Sequence, residues 1–161
     1  MQTLLWQVKL GSDEMSFKPI YDVIIDETIG IFTPYGTEMI IPNAIFNIGI
    51  VVKHKKNILE KKSIGIDEFW KYPVHRIMDF YRCNFTEDDF DVKYRTMVEF
   101  LNVYFYPLLK SYKDKAQIRL WSYNGYFDSR AFVDTAALEN HKIPKSILRN
   151  WNCIMVLATK L

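Results

Sequence analysis

The spacing of apolar residues in the first part of the chain constrains the fold more than any other feature of the sequence. Three short runs there are rich in β-branched side chains and are bounded by turn-forming residues, which is typical of strands. They cover residues 21–26, 44–54 and 58–66. The Lys-Lys-Asn turn between the second and third runs predicts an antiparallel hairpin. The first run is apolar on both faces, which predicts a central, buried strand.

The second part of the chain alternates helical and extended patterns. Apolar residues recur at helical spacing over residues 97–112, and Pro107 is expected to kink this helix or to begin its last turn. A strand over 117–123, a helix over 127–141 and an apolar segment over 151–161 follow. This order of elements predicts an α/β fold with mixed strand directions.

Length, charge and cysteine content bound the class of protein. The 161 residues predict one domain, in which residues 1–19 form an N-terminal strand and a linker. A net charge of +2 excludes the strongly basic profile of a histone-like binder but leaves room for a local basic patch. Cys83 and Cys153 lack metal-type spacing, and no stretch is long enough to span a membrane. We therefore expect a cytoplasmic protein, or one of the host cytoplasm if the chain is viral, with no membrane partner.

Acidic residues stand at the ends of two predicted strands. Asp26 and Glu27 close the first run, and Asp128 follows the strand over 117–123. Carboxylates at the ends of adjacent strands can converge, and Mg²⁺ prefers carboxylate and water ligands. The three acids therefore predict a site for Mg²⁺ or Mn²⁺, where two ions would activate water against a phosphodiester. The plainer alternatives are a solvated strand end for Asp26 and Glu27 and a helix N-terminal acid for Asp128.

The segments around these acids resemble motifs of the DEDD-type 3′–5′ exonucleases, the superfamily of the proofreading exonucleases and of ribonuclease T. "IIDETIG", followed by "IFNIGIVV", is similar to the first motif, and "WSYNGYFDSRAF" is similar to the second. "NWNCIMVLATKL" is similar to the segment that follows the second motif. The resemblance covers about residues 20–161 and implies an exonuclease-like domain there, with a ribonuclease H-like mixed sheet flanked by helices.

The resemblance also implies what each site residue would do. Asp26, Glu27 and Asp128 would be catalytic ligands of Mg²⁺ or Mn²⁺, and the substrate would be the end of a DNA or RNA strand. Residues close to these acids would contact the nucleic acid, with Tyr126 as a stacking platform for a terminal base. These nucleic-acid contacts are Thr28, Asn124 and Tyr126.

Two departures from the family pattern leave the activity open. The family has one residue between its first Asp and Glu, whereas Asp26 and Glu27 are adjacent, so a regular strand would point them to opposite faces unless a bulge intervenes. The family's third motif, an Asp with a His or Tyr a few residues earlier, has no counterpart. The alternatives are a working metal-dependent exonuclease and an inactive protein of the same fold that binds nucleic acid or a protein partner. A homodimer that completes the site is a third.

Lysines cluster around the predicted hairpin. Lys55 and Lys56 are the candidates for contact with a nucleic-acid backbone, which would make binding sensitive to salt. The plainer alternative is a charged surface that keeps a sheet edge soluble.

Overall fold

The computed structural model of the chain describes residues 18–32, 41–67 and 86–159. The N-terminal strand and linker expected at residues 1–19 therefore lie outside the described residues, except for the last two positions. Cys83 lies outside them as well.

The described residues contain a six-stranded mixed sheet with the order β4-β3-β2-β1-β5-β6. β2 runs antiparallel to both β1 and β3, whereas β5 runs parallel to β1 and β6 runs parallel to β5. The short β4 pairs in parallel with β3. This sheet and its helices confirm the predicted α/β class with mixed strand directions. The strands are β1 (Ile20–Phe32), β2 (Ile41–His54), β3 (Asn57–Ile66), β4 (Val92–Tyr94), β5 (Gln117–Ser122) and β6 (Trp151–Cys153).

β2 and β3 form the predicted hairpin, and its turn is made by Lys55 and Lys56. Lys55 has a φ of 55°, in the left-handed region that tight hairpin turns require. β1 is central as expected, but it is longer than the six residues predicted for it and continues past the two acids.

Helix α1 runs over residues 97–113, close to the prediction. It is α-helical at Met97–Phe100, π-helical at Leu101–Phe105 and α-helical again at Tyr106–Lys113. Pro107 has no amide hydrogen to donate to the preceding turn, and the wider π-helical turn ends just before it. Pro107 therefore lies at the start of the last α-helical segment, which is one of the two placements expected for it.

The remaining helices flank β6. Helix α2 spans Gly125–Ala137, so it begins and ends a few residues earlier than predicted. The five-residue helices α3 (Lys145–Arg149) and α4 (Ile154–Ala158) lie on either side of β6 in the chain. The apolar segment at the end of the chain is therefore a short strand followed by a helical turn. Among the described helices, none is long and apolar enough to cross a membrane.

The core lies on the face of the sheet that α1 and α2 cover. Val23 and Ile25 of β1 are at most 1% exposed and belong to one apolar cluster with side chains of both helices. The largest of these helical side chains, all fully buried, are Phe100, Phe105 and Phe132.

On the opposite face, a polar cluster joins β1 to β5. The Asp22 carboxylate accepts hydrogen bonds from Arg119 Nε and from Trp121 Nε1, both at 2.8 Å. Asp22 and Arg119 are also register partners in the parallel ladder. This cluster ties the first half of β1 to β5. The loop after β5 leads directly into α2.

Candidate functional site

Asp26 and Glu27 lie side by side on the central strand and point to opposite faces of the sheet. The ladder to β2 is regular at both residues, with Glu27 opposite Ile48. The first register shift comes only after Thr28, so no bulge between the two acids brings them to one face. Asp26 is exposed, whereas Glu27 follows the buried Ile25 on the helix-covered face.

The Glu27 carboxyl group is buried without a hydrogen-bond partner. Both of its oxygens are shielded from solvent, and neither takes part in a hydrogen bond. Burial raises the pKa of Glu27 to about 8, and repulsion from Asp128 and Asp26 adds to this effect. The folded protein therefore holds Glu27 largely as the neutral acid at pH 7, close to two other carboxylates.

Asp128 lies in the first turn of α2, within electrostatic reach of Glu27. Its Oδ2 accepts a hydrogen bond from the Asn124 amide at 3.1 Å. Burial raises the pKa of Asp128, and the nearby Ser122 hydroxyl and the Asn124 amide lower it without cancelling that rise. Asp128 thus has the plain structural role of an acid at a helix N-terminus, and its charge also acts on the buried Glu27.

Strand β6 holds the start of α2 in place. The Ser122 hydroxyl oxygen accepts a hydrogen bond from Trp151 Nε1 at 2.8 Å, which ties the end of β5 to β6. Gly125 permits the close approach of the two segments, because a Cβ there would lie 2.7 Å from the Asn152 carbonyl oxygen. Contacts of β6 with Ser122 and with Gly125 therefore position the first turn of α2, which carries Asp128.

A divalent cation needs several oxygen ligands that converge on one point. Within the part of the chain that the structure describes, no three Asp, Glu, His or Cys groups are gathered closely enough to hold a metal ion. Glu27 and Asp128 nevertheless form an acidic pair in which one carboxyl lacks any hydrogen-bond partner. Mg²⁺ is commonly bound by one or two carboxylates, with waters and substrate phosphates as its other ligands. Glu27 and Asp128 are thus candidate ligands of Mg²⁺ or Mn²⁺, and the two-ion site expected from the sequence stays a prediction.

The structure brings three of the predicted nucleic-acid contacts near these acids. Asn124 immediately precedes α2 and is exposed, with no side-chain capping bond. Tyr126, in the first turn of the helix, is 75% exposed. Thr28 is half-buried and follows Glu27 in β1, but the regular ladder puts it on the face of Asp26, opposite Glu27. The positions of Asn124 and Tyr126 are therefore consistent with contacts to a molecule bound at Asp128, whereas that of Thr28 is not.

Lys55 and Lys56 lie at the other end of the sheet. Asp26 and Asp22 are four residues apart on β1, and Lys53 is the register partner of Asp22. At about 3.3 Å per residue, Lys55 is about 20 Å from Asp26 along the strands. The hairpin lysines are therefore not part of the acidic site.

Ser122 and Trp151 are the site residues that the sequence did not reveal. Their side chains meet across 29 residues of sequence, and no local spacing rule links them. The available signal was that Ser122 is the last residue but one of the predicted strand over 117–123, which the Asn124-Gly125 pair follows.

In comparisons with known proteins, no family model matches this sequence and no curated protein matches it. The likeness to the exonucleases therefore rests on the motifs themselves.

The burial of Glu27 predicts how stability depends on pH. Between the ordinary value of 4.5 and the folded value of about 8, the folded state keeps the Glu27 proton and the unfolded state releases it. The free energy of unfolding should therefore fall as pH rises through this window, by up to about 1.4 kcal/mol per unit from this group. Urea denaturation at several pH values should show this decline in the wild type and a flatter profile in Glu27→Gln. Identical profiles would contradict the account.

The contact at Gly125 predicts that a methyl group will not be tolerated there. The nearest atoms belong to the backbone of β6 and cannot rotate away, so Gly125→Ala should cost about 1–3 kcal/mol in unfolding free energy. Gly49→Ala is the matched control, because its Cβ would meet Asp26 atoms only at 3.6 Å or more. Chemical denaturation of both variants tests this, and equal stability of the two would refute the close contact.

Proposed function

We propose that this chain is a metal-dependent 3′–5′ exonuclease-like protein that hydrolyses phosphodiesters at the ends of DNA or RNA strands. The observation that carries the proposal is the Glu27 carboxyl group, which is buried without a hydrogen-bond partner beside Asp128. Such a group is costly in a fold that does not use it, and a cation would supply the missing partner.

The strand order supports this proposal. An antiparallel β1-β2-β3 unit is continued on the other side of β1 by two parallel strands, β5 and β6, with helices between them. This is the order of elements expected of a ribonuclease H-like fold. In this order Glu27 lies on the central strand and Asp128 at the start of the helix after the adjacent parallel strand, which supports the proposal.

In this proposal the residues of the chain bind and orient the substrate. Glu27 would lose its proton if it held a divalent cation together with Asp128, and the Asn124 amide already positions the Asp128 carboxylate at the start of α2. A bound divalent cation supplies positive charge that stabilises the developing charge of a phosphodiester under attack. Tyr126 offers an exposed ring beside Asp128, on which a terminal base can stack.

A second candidate is a catalytically inactive protein of the same fold that binds nucleic acid or a protein partner. It is favoured by one observation: among the described residues no group of three metal-binding side chains is assembled. Asp26 points away from Glu27, so the two acids of the first motif do not face one point. In this case Glu27 and Asp128 would be remnants of a former site.

The two candidates differ in the effect of removing the charge of Asp128. We expect Asp128→Asn to abolish Mn²⁺-dependent release of nucleotides from labelled single-stranded DNA and RNA, with a loss of at least about a hundredfold. Asp134→Asn is the matched control, because Asp134 is an exposed acid on the same helix that pairs with the exposed Arg130. It should retain full activity.

Two outcomes would decide against the enzyme. Equal activity of Asp128→Asn and the wild type would remove Asp128 from the reaction. No metal-dependent hydrolysis by the wild type, together with binding of the same oligonucleotides, would favour the inactive binding protein.

A further inference from the structure

The end of the sheet opposite the acids carries a concentration of positive charge. The hairpin turn, the start of β1 and the end of α1 meet there, because the Tyr21 ring contacts the rings of both His54 and Tyr112. Lys18 Nζ also reaches the Lys113 carbonyl oxygen at 3.5 Å. Five exposed lysines gather at this end, which we call the basic pole: Lys18, Lys55, Lys56, Lys113 and Lys115.

Among the residues that the structure describes, few acids offset this charge. Glu60 accepts a hydrogen bond from the Tyr104 hydroxyl at 2.7 Å, and Asp22 is paired with Arg119. Asp114 is exposed between two of the lysines. The basic pole therefore keeps a net positive charge that complements an anionic partner.

The basic pole also exposes large aliphatic side chains. Ile58 is 61% exposed and Leu59 is 45% exposed, directly after the hairpin turn. Val52 pairs with Glu60 and Lys53 pairs with Ile58, so Leu59 is the extra residue of a β-bulge. Ile20, at the start of β1, is 39% exposed. A bulge redirects a side chain, and here it accompanies two adjacent aliphatic groups at the tip of a basic hairpin.

The combination of lysines with aliphatic groups favours a lipid surface over nucleic acid. Nucleic acid is held by basic groups together with rings that stack on bases. The rings at this pole, Tyr21, His54 and Tyr112, are instead half-buried and packed on one another. An anionic bilayer offers both headgroup charge for lysines and an acyl boundary for aliphatic side chains.

We propose that the basic pole is a docking surface for an anionic membrane, with Ile58 and Leu59 inserted at the headgroup boundary and the lysines against the lipid charge. This proposal differs from the expectation of no membrane partner, which rested on the lack of a spanning segment. Attachment at the surface of a membrane needs no spanning helix. It is also independent of the acidic site, which lies at the opposite end of the sheet.

The test is co-sedimentation of the full chain with phosphatidylcholine vesicles that contain or lack phosphatidylserine, at low and high salt. The wild type should bind only the vesicles with phosphatidylserine. Ile58→Ser/Leu59→Ser and Lys55→Gln/Lys56→Gln should each weaken this binding about tenfold or more. The matched controls, Val103→Ser and Lys142→Gln/Lys145→Gln, alter exposed residues outside the pole and should bind as the wild type does.

Two results would overturn the proposal. The first is a folded wild type that does not bind phosphatidylserine vesicles at low salt. The second is a lysine variant that loses vesicle binding while the aliphatic variant binds vesicles as the wild type does, together with oligonucleotide binding that depends on the same lysines. That result would assign the pole to nucleic acid. Asp128→Asn should leave vesicle binding unchanged, so failure of the nuclease proposal does not affect this test.

Discussion

The burial of one carboxyl group on the central strand is the constraint around which the candidate site is built. Glu27 is buried because β2 pairs with β1 at this position and because helices cover this face of the sheet. An unpaired charge in such surroundings costs several kcal/mol, so the group stays protonated instead. The fold tolerates this cost within electrostatic reach of a second acid, Asp128, whose carboxylate accepts a hydrogen bond from the Asn124 amide. Placing two acids within reach of each other is unfavourable for folding alone, and under the proposed function a bound cation would offset that cost.

The support of Asp128 extends beyond its own helix. Ser122 at the end of β5 accepts a hydrogen bond from Trp151 of β6, and the absence of a side chain at Gly125 allows β6 to pack against the start of α2. The edge strand β6 is only three residues long, yet it contacts both the end of β5 and the start of α2. The residues that position the acid are therefore spread over β5, α2 and β6.

Local patterns predicted most of the fold, and non-local contacts account for what they missed. The hairpin, the helix over 97–112 and the strand over 117–123 follow from periodicity and turn residues, which act over a few positions. The extra length of β1 and the division of the last apolar segment into β6 and α4 depend on pairing with distant strands. The adjacency of Asp26 and Glu27 correctly indicated opposite faces, but the proximity of Glu27 to Asp128 required the fold. The sequence predicts that Lys55 and Lys56 contact nucleic acid, and only the strand register shows that they lie far from the acids.

The most direct test of the central claim is a calorimetric titration of the chain with Mn²⁺ and Mg²⁺, with thermal unfolding measured in parallel. The account predicts that the wild type and Asp134→Asn bind the cation and unfold at higher temperature when it is present. It also predicts that Glu27→Gln and Asp128→Asn, while folded, lose both effects. Absence of binding by the folded wild type at millimolar metal, or binding that persists in both site variants, would contradict the assignment of Glu27 and Asp128 as a cation site.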